Sequence, residues 1–154
     1  MKNPTGRRAT YIDDSKLPDV TDDMFRELLR TTQPYTVVVL KPGPRYSPPG
    51  PDRDPEIAAL IQRHGKRNMA LRAAGLMPII CPIADGGPLT GIGVFVTDAA
   101  ETDRIYSLDP AVQGGALTYE VHPTVSFPGS ELPSLAVLDA EPRRDLPVGS
   151  GETE

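Results

Sequence analysis

Prolines and glycines constrain this chain more than any other feature. There are 18 prolines and 14 glycines among the 154 residues, which is well above ordinary usage. Proline ends helices and cannot donate to a sheet ladder, so these residues divide the chain into short regular segments separated by irregular loops. We therefore expect one domain whose packed core is smaller than the length suggests, at roughly 95 residues.

Between these breaks, four segments have the composition of β-strands and two have the periodicity of helices. Residues 35–40 form a nearly continuous β-branched run, which is typical of a buried strand. Asp54 and Pro55 begin a long helix that ends at Gly75, because aspartate caps a helix and proline suits its first turn. Further strands are predicted over 76–83, 89–96 and 116–127, with a second helix over 98–108.

The predicted order is β-α-β-β-α-β, the ferredoxin-like pattern of the α+β class. In this pattern an antiparallel four-stranded sheet carries both helices on one face. Only a short helix, predicted over 22–32 with Thr21 as its cap, remains to cover the other face. The sequence therefore predicts a homodimer that packs two open sheet faces together, as in a dimeric α/β-barrel.

The two ends of the chain differ from its middle in composition. Residues 1–33 are interpreted as an N-terminal arm with the short helix, and residues 34–127 as the ferredoxin-like domain. Residues 128–154 form an acidic, proline-rich tail that is expected to be flexible.

Charge and cysteine content exclude several classes of protein. The net charge is −5, and no basic patch is present to gather phosphates, so we expect no nucleic-acid partner. Cys81 is the only cysteine, which rules out an intrachain disulfide and a cysteine-based metal cluster. The sequence contains no apolar run of about 18 residues, and no apolar segment follows the basic N-terminus. We therefore expect a cytoplasmic protein without a membrane partner.

His64 is the most informative residue for function. It lies in the apolar stripe of the long predicted helix, seven residues after Ile57 and seven before Leu71. An imidazole there points towards the sheet, and its ordinary pKa of about 6.5 suits proton transfer at neutral pH. The structural alternative is a core histidine that is hydrogen-bonded to a backbone carbonyl.

Asp109 is the second candidate, because it ends the second predicted helix just before Pro110. Aspartate before proline is a common turn, so a purely structural role stays open. In the functional interpretation, Asp109 accepts a hydrogen bond from His64 and raises its basicity.

Other residues are expected to contact a substrate or remain open alternatives. His122 precedes Pro123 in the fourth strand, and with His64 and Asp109 it would complete a two-histidine, one-carboxylate metal set. No metal-type spacing supports that set, so we expect neither a metal nor another cofactor. The expected substrate-binding residues are Arg45, Tyr46, Cys81, Tyr119 and His122.

Over residues 35–127 the sequence resembles the YCII-related family, within the dimeric α/β-barrel group of ferredoxin-like proteins. The resemblance rests on His64 eleven residues before Gly75, Cys81-Pro82 where the family usually has Gly-Pro, Asp85 in the following turn, Gly91, Gly93-Val94-Phe95-Val96, Ala99-Ala100-Glu101, Asp109-Pro110, Gly114 or Gly115, and Tyr119-Glu120-Val121-His122-Pro123.

This resemblance implies that His64 and Asp109 form a dyad in a cleft, and that two copies pack sheet to sheet. Relatives include a dehydrochlorinase of aromatic degradation, and muconolactone isomerase is a more distant neighbour. The chain departs from the family at Cys81, which replaces a glycine, in a long proline-rich loop over 42–53, and at both ends.

We therefore expect a small cofactor-independent lyase or isomerase that acts by acid–base catalysis. Its substrate would be a small cyclic or carbonyl-activated metabolite of secondary metabolism or aromatic degradation. The alternative is a protein without chemistry that binds a small molecule or serves a biosynthetic cluster as an accessory.

Overall fold

A computed structural model describes residues 13–132, and the chain divides into two compact units between Thr32 and Gln33. The first unit holds a 3-10 turn, Asp14–Lys16, and helix α1, Asp22–Arg30. The side chain of Thr21 accepts a hydrogen bond from the backbone N–H of Met24 at 3.3 Å, which is the capping contact that the sequence predicts. Helix α1 therefore begins as expected and ends at Arg30, before Pro34.

The second unit contains the sheet and the remaining helices. The four strands are β1, β2, β3 and β4, and the three helices are α2, α3 and α4. In chain order they are β1 Gln33–Pro42, α2 Pro55–Ala73, β2 Ile79–Pro82, β3 Gly91–Phe95, α3 Ala99–Ser107, α4 Pro110–Gln113 and β4 Leu117–Ser126.

All strand pairings in the sheet are antiparallel, in the order β2-β3-β1-β4. This arrangement confirms the predicted α+β class and is compatible with the ferredoxin-like pattern. The central strand β1 pairs with β4 over ten residues, from Gln33 opposite Ser126 to Pro42 opposite Leu117.

The core lies between the helices and the inward face of the sheet. Burial alternates along β1, where Thr36, Val38 and Leu40 are buried and the residues between them are only half-buried. The helices contribute Ile57 and Leu60 from α2 and Tyr106 from α3. The remaining buried apolar residues of the described chain are Met77, Phe95, Ala111, Ala116 and Leu117.

Three of the differences from the sequence prediction involve proline. Strand β2 begins at Ile79 instead of residue 76, directly after Pro78. Pro123 does not interrupt β4, because β4 is an edge strand and a missing N–H can face solvent there. Asp109-Pro110 ends one helix and begins another, the short α4, which the sequence analysis missed.

The expected arm and tail are described only in part. Residues 1–12 and 133–154, which hold most of the predicted flexible tail, lie outside the described residues. Across the described part of the chain, no helix combines the length and the apolar character that a membrane crossing requires.

Candidate active site

A cavity of about 270 Å³ lies between helix α2 and the sheet. Its volume is near the lower end of the range for ligand pockets, so it suits a small metabolite better than a dinucleotide. Helix α2 contributes His64 and Asn68, and the loop after β1 contributes Tyr46 and Arg53. Apolar residues form most of the remaining wall, among them Leu40, Ile61, Met77, Ile80, Ile83 and Leu117.

Two glycines of β3 leave room for this cavity. Gly91 and Gly93 are buried on the inward face of the sheet and carry no side chain that would fill the space below α2. A Cβ atom at Gly93 would lie 2.7 Å from the sulfur of Met77, so even alanine there would force Met77 to move. The Gly-Ile-Gly sequence is thus a packing feature of the cavity floor.

His64 and Asp109 meet at the helical wall of the cavity. The Nδ1 atom of His64 lies 2.9 Å from Oδ2 of Asp109, although the two residues are 45 positions apart. The His64 side chain is 12 % exposed and the Asp109 side chain is fully buried. Helix α2 positions the imidazole, and the turn between α3 and α4 positions the carboxylate.

Asp109 is held by several donors at once. Its Oδ1 atom accepts hydrogen bonds from the backbone N–H groups of Ala111 at 2.9 Å and Val112 at 3.3 Å, which makes Asp109 the N-cap of α4. Arg67 places Nη1 3.8 Å from Oδ2 of Asp109, and its Nη2 donates to the carbonyl of Ile105 at 2.6 Å. The carboxylate is therefore fixed in position and complemented by donors and one cation.

Asn68 makes the other contact of the imidazole ring. Its Nδ2 atom lies 2.9 Å from Nε2 of His64, one helical turn away on α2. An amide nitrogen only donates, so Nε2 must accept, and the ring proton must lie on Nδ1, where it points at Asp109. The geometry therefore specifies the tautomer in which Nε2 carries the lone pair.

Tyr106 closes the site behind the dyad. Its ring packs edge-on to that of His64, with centroids 6.4 Å apart. Burial and, to a smaller extent, the charge of Asp109 raise the pKa of the Tyr106 hydroxyl well above its usual range. The hydroxyl is therefore a neutral group at physiological pH, beside Asn68 in the cavity wall.

Several buried polar atoms at this site have no hydrogen-bond partner within residues 13–132. They are Oδ1 of Asn68, Oγ1 of Thr90, Nε of Arg53 and Nη1 of Arg67. Such atoms are rare in folded proteins, since each costs about 1–3 kcal/mol when left unpaired. Three of them belong to residues that line the cavity: Arg53, Asn68 and Thr90.

The structure divides the expected substrate contacts into two groups. Tyr46 and Cys81 line the cavity. Arg45 is outside the lining and bonds to Glu56 at 2.6 Å, and Tyr119 is also outside it, with its hydroxyl 2.7 Å from Asp103. His122 is exposed beside Glu120 on the sheet face that points away from the helices, because its strand partner is the outward-facing Val37.

The residues of the site that the sequence did not single out for function include Arg53, Arg67, Asn68, Thr90 and Tyr106. A signal existed for Asn68, because it lies four residues after His64 on an otherwise apolar helix face. Arg67 lies three residues after His64 on α2, so the same helical spacing was a signal for it as well. Arg53 and Thr90 lie in loops, where spacing carries no information about contacts.

No three histidine, cysteine, aspartate or glutamate side chains lie close enough together to hold a metal ion anywhere in residues 13–132. His64, Asp109 and His122 cannot together bind a metal ion, because His122 is on the other face of the sheet from His64 and Asp109. Comparison with known proteins gave no matching family model and no matching curated protein.

Proposed function

We propose that this chain is a cofactor-independent lyase or isomerase in which His64 moves a proton of a small cyclic or carbonyl-activated substrate. One observation carries the proposal. The imidazole lines a largely apolar cavity while its Nδ1 atom lies 2.9 Å from a fully buried carboxylate, that of Asp109. An imidazole that is oriented in this way is suited to general acid–base catalysis.

The proposed step begins with the lone pair of His64 Nε2, which removes a proton from a carbon next to a carbonyl group. The electron pair of the broken C–H bond forms a C=C bond to the carbonyl carbon, and the C=O π pair moves onto oxygen to give an enolate. The imidazole becomes an imidazolium that Asp109 stabilises. Returning the proton to a different carbon completes an isomerisation. Delivering it to a departing hydroxyl group completes an elimination of water.

Asn68 fits both protonation states of His64. In the neutral state its Nδ2 atom donates to Nε2 of His64. Rotation of the amide by half a turn would present Oδ1, which has no partner among the described residues, as the acceptor for a protonated Nε2. Asn68 is therefore assigned as a positioning residue that follows the charge of the imidazole.

The resemblance to the YCII-related family supports the same assignment, since that family is thought to use the matching histidine and aspartate as a dyad. The resemblance also leads us to propose that the reaction is a step of aromatic degradation or of secondary metabolism. The substrate contacts that we retain are Tyr46 and Cys81, which line the cavity.

A second candidate is a protein that binds a small molecule without converting it. The hydrogen bond between Asn68 and Nε2 of His64 favours this candidate, because the lone pair required for proton removal is already engaged. A substrate would have to displace the Asn68 amide before the imidazole could act.

Deuterium exchange separates the two candidates. The full chain is incubated in D₂O with a panel of small cyclic enones, lactones and hydroxy ketones, and ¹H NMR follows exchange, isomerisation and loss of water. We expect His64→Ala to lower the rate of any reaction found by about 10²–10⁴-fold. His122→Ala is the matched control, because it removes the other histidine, which is exposed outside the cavity.

A parent rate that is retained in His64→Ala would contradict the proposal. A panel that binds but stays chemically unchanged would select the binding protein instead. A loss of rate in His122→Ala equal to that in His64→Ala would show that the assay reports folding and not the dyad.

We also propose that two copies of the chain pack through the sheet face opposite the helices. Val37 and Val39 of β1 lie opposite Val94 and Ile92 of β3, and all four side chains are only half-buried on that face. A patch on a central strand pair is suited to isologous contact with its own copy, as the dimeric α/β-barrel resemblance implies.

A further inference from the structure

The polar atoms of the cavity define the kind of molecule that it would accept. No aspartate or glutamate is among the residues that line it, and the charged or chargeable groups there include Arg53 and His64. The remaining wall is mostly apolar. The protein has a net negative charge, but its cavity is lined by one guanidinium, that of Arg53, and by no aspartate or glutamate.

Arg53 is available for an anion. Its Nε atom is buried and has no acceptor among the described residues, and none of the ion pairs found there includes its guanidinium. Its backbone is fixed, because its N–H donates to Gly50 and the next residue, Asp54, caps α2. The nearby Arg45 differs, since its guanidinium is already paired with Glu56.

Two further buried atoms of cavity residues, Oδ1 of Asn68 and Oγ1 of Thr90, have no hydrogen-bond partner among the described residues. Asn68 is 4 % exposed, and its Oδ1 atom accepts no hydrogen bond within the described residues. Thr90 is anchored between strands, because its N–H donates to Leu40 and its carbonyl accepts from Ile83, while its buried hydroxyl has no partner there. A ligand with several oxygen atoms would satisfy these groups and remove the cost of leaving them unpaired.

We infer that the cavity binds a small carboxylate-bearing molecule, with the carboxylate at Arg53 and the apolar body against the sheet. A guanidinium holds a carboxylate through two parallel hydrogen bonds, and burial of the pair makes the contact selective for the anion. This inference names the substrate class of the proposed enzyme and so rests on the proposed function. In that setting, Arg53 fixes one end of the substrate and leaves the reacting carbon near His64.

Matched pairs of acids and amides provide the test. Benzoate, cyclohexanecarboxylate and 2-furoate are compared with their uncharged carboxamides, and dissociation constants are measured on the full chain by ligand-observed NMR at pH 7.5. We expect at least one acid to bind at least tenfold more tightly than its amide. Arg53→Gln should remove this preference and leave amide binding within about twofold of the parent.

Arg63→Gln is the control, because Arg63 is exposed on α2 and does not line the cavity. It should keep the full preference for the acid. The inference is overturned if no acid binds at millimolar concentration, if acid and amide bind equally, or if Arg53→Gln retains the preference.

The same probes separate this inference from the proposed function. Acid selectivity that depends on Arg53, in a protein whose exchange activity is unaffected by His64→Ala, would uphold the carboxylate site and reject the dyad chemistry. Exchange activity that requires His64, without any acid selectivity, would uphold the dyad and reject the carboxylate site.

Discussion

At the residue scale, Asp109 has two roles that different substitutions can separate. Its Oδ1 atom caps α4, and its Oδ2 atom faces His64 and Arg67. From the sequence alone, the turn interpretation and the dyad interpretation of Asp109 are alternatives. In the structure the fully buried carboxylate makes both sets of contacts, because Oδ1 accepts from the α4 backbone while Oδ2 faces His64.

Replacing Asp109 with alanine removes both sets of contacts and leaves the α4 N–H groups, His64 and Arg67 without their acceptor. We expect Asp109→Ala to lower the free energy of unfolding by about 2–4 kcal/mol, measured by urea denaturation. Asp109→Asn keeps an oxygen for the cap and should cost roughly half as much. Equal losses in the two variants would mean that the cap contributes nothing.

Asp109→Asn also removes the negative charge next to the imidazole. Because that charge stabilises the imidazolium that forms during proton transfer, Asp109→Asn should lower the rate of any His64-dependent reaction by up to about 10⁴-fold. The measurement is the deuterium-exchange assay, with His122→Ala as the control that keeps the parent rate. A parent rate retained in Asp109→Asn would show that the carboxylate takes no part in the reaction.

At the element scale, apolar patterning and helix caps predicted most of the fold. The order of strands and helices is as expected, and Thr21 and Asp54 cap the helices that the sequence analysis assigned to them. Helix α4 was missed because four residues are too few to establish a periodicity. Contacts such as that between His64 and Asp109 depend on how α2 and α3 lie on the sheet, which local spacing does not encode.

Gly65 is an unfavourable residue in the middle of α2, directly after His64. A Cβ atom there would meet no other atom within 4 Å. Gly65→Ala should therefore raise the free energy of unfolding by about 0.5–1 kcal/mol, because alanine loses less backbone entropy in a helix. A loss of stability in urea denaturation would show that the space beside Gly65 is occupied in solution.

At the scale of the whole molecule, the two faces of the sheet serve different purposes. One face, with Gly91 and Gly93, forms the floor of the cavity. The other presents Val37 and Val94, paired side by side. The proposed dimer would bury this second face and leave each cavity on its own side of the sheet.

The dimer is tested by the mass in solution from size-exclusion chromatography with light scattering. We expect twice the chain mass of 16.6 kDa for the parent, and a monomer for Val94→Lys, since a buried unpaired ammonium is costly. Val125→Lys should remain dimeric, because Val125 is exposed and lies opposite Pro34, away from the outward patch. A monomeric parent protein would reject the proposed interface.

Stability should also fall at alkaline pH. Burial, followed by the charge of Asp109, raises the pKa of Tyr106 above its ordinary value of 10.0, and the pKa of Tyr119 is raised to about 12 by burial and Asp103. A raised tyrosine pKa contributes stability that is complete below pH 10 and is lost above it, by up to about 1.4 kcal/mol per pH unit for Tyr106. Denaturation between pH 9 and 12 should show a shallower loss in Tyr106→Phe, and identical slopes would contradict this.

The proposed chemistry requires that His64 presents an unprotonated Nε2 atom to the cavity while its Nδ1–H donates to Asp109. Nitrogen-15 NMR of the neutral imidazole rings reports the tautomer directly, and His122→Gln assigns the remaining ring. We expect a protonated Nδ1 and a bare Nε2, the reverse of the tautomer that free histidine prefers. A neutral His64 ring that carries its proton on Nε2 would contradict the proposed chemistry.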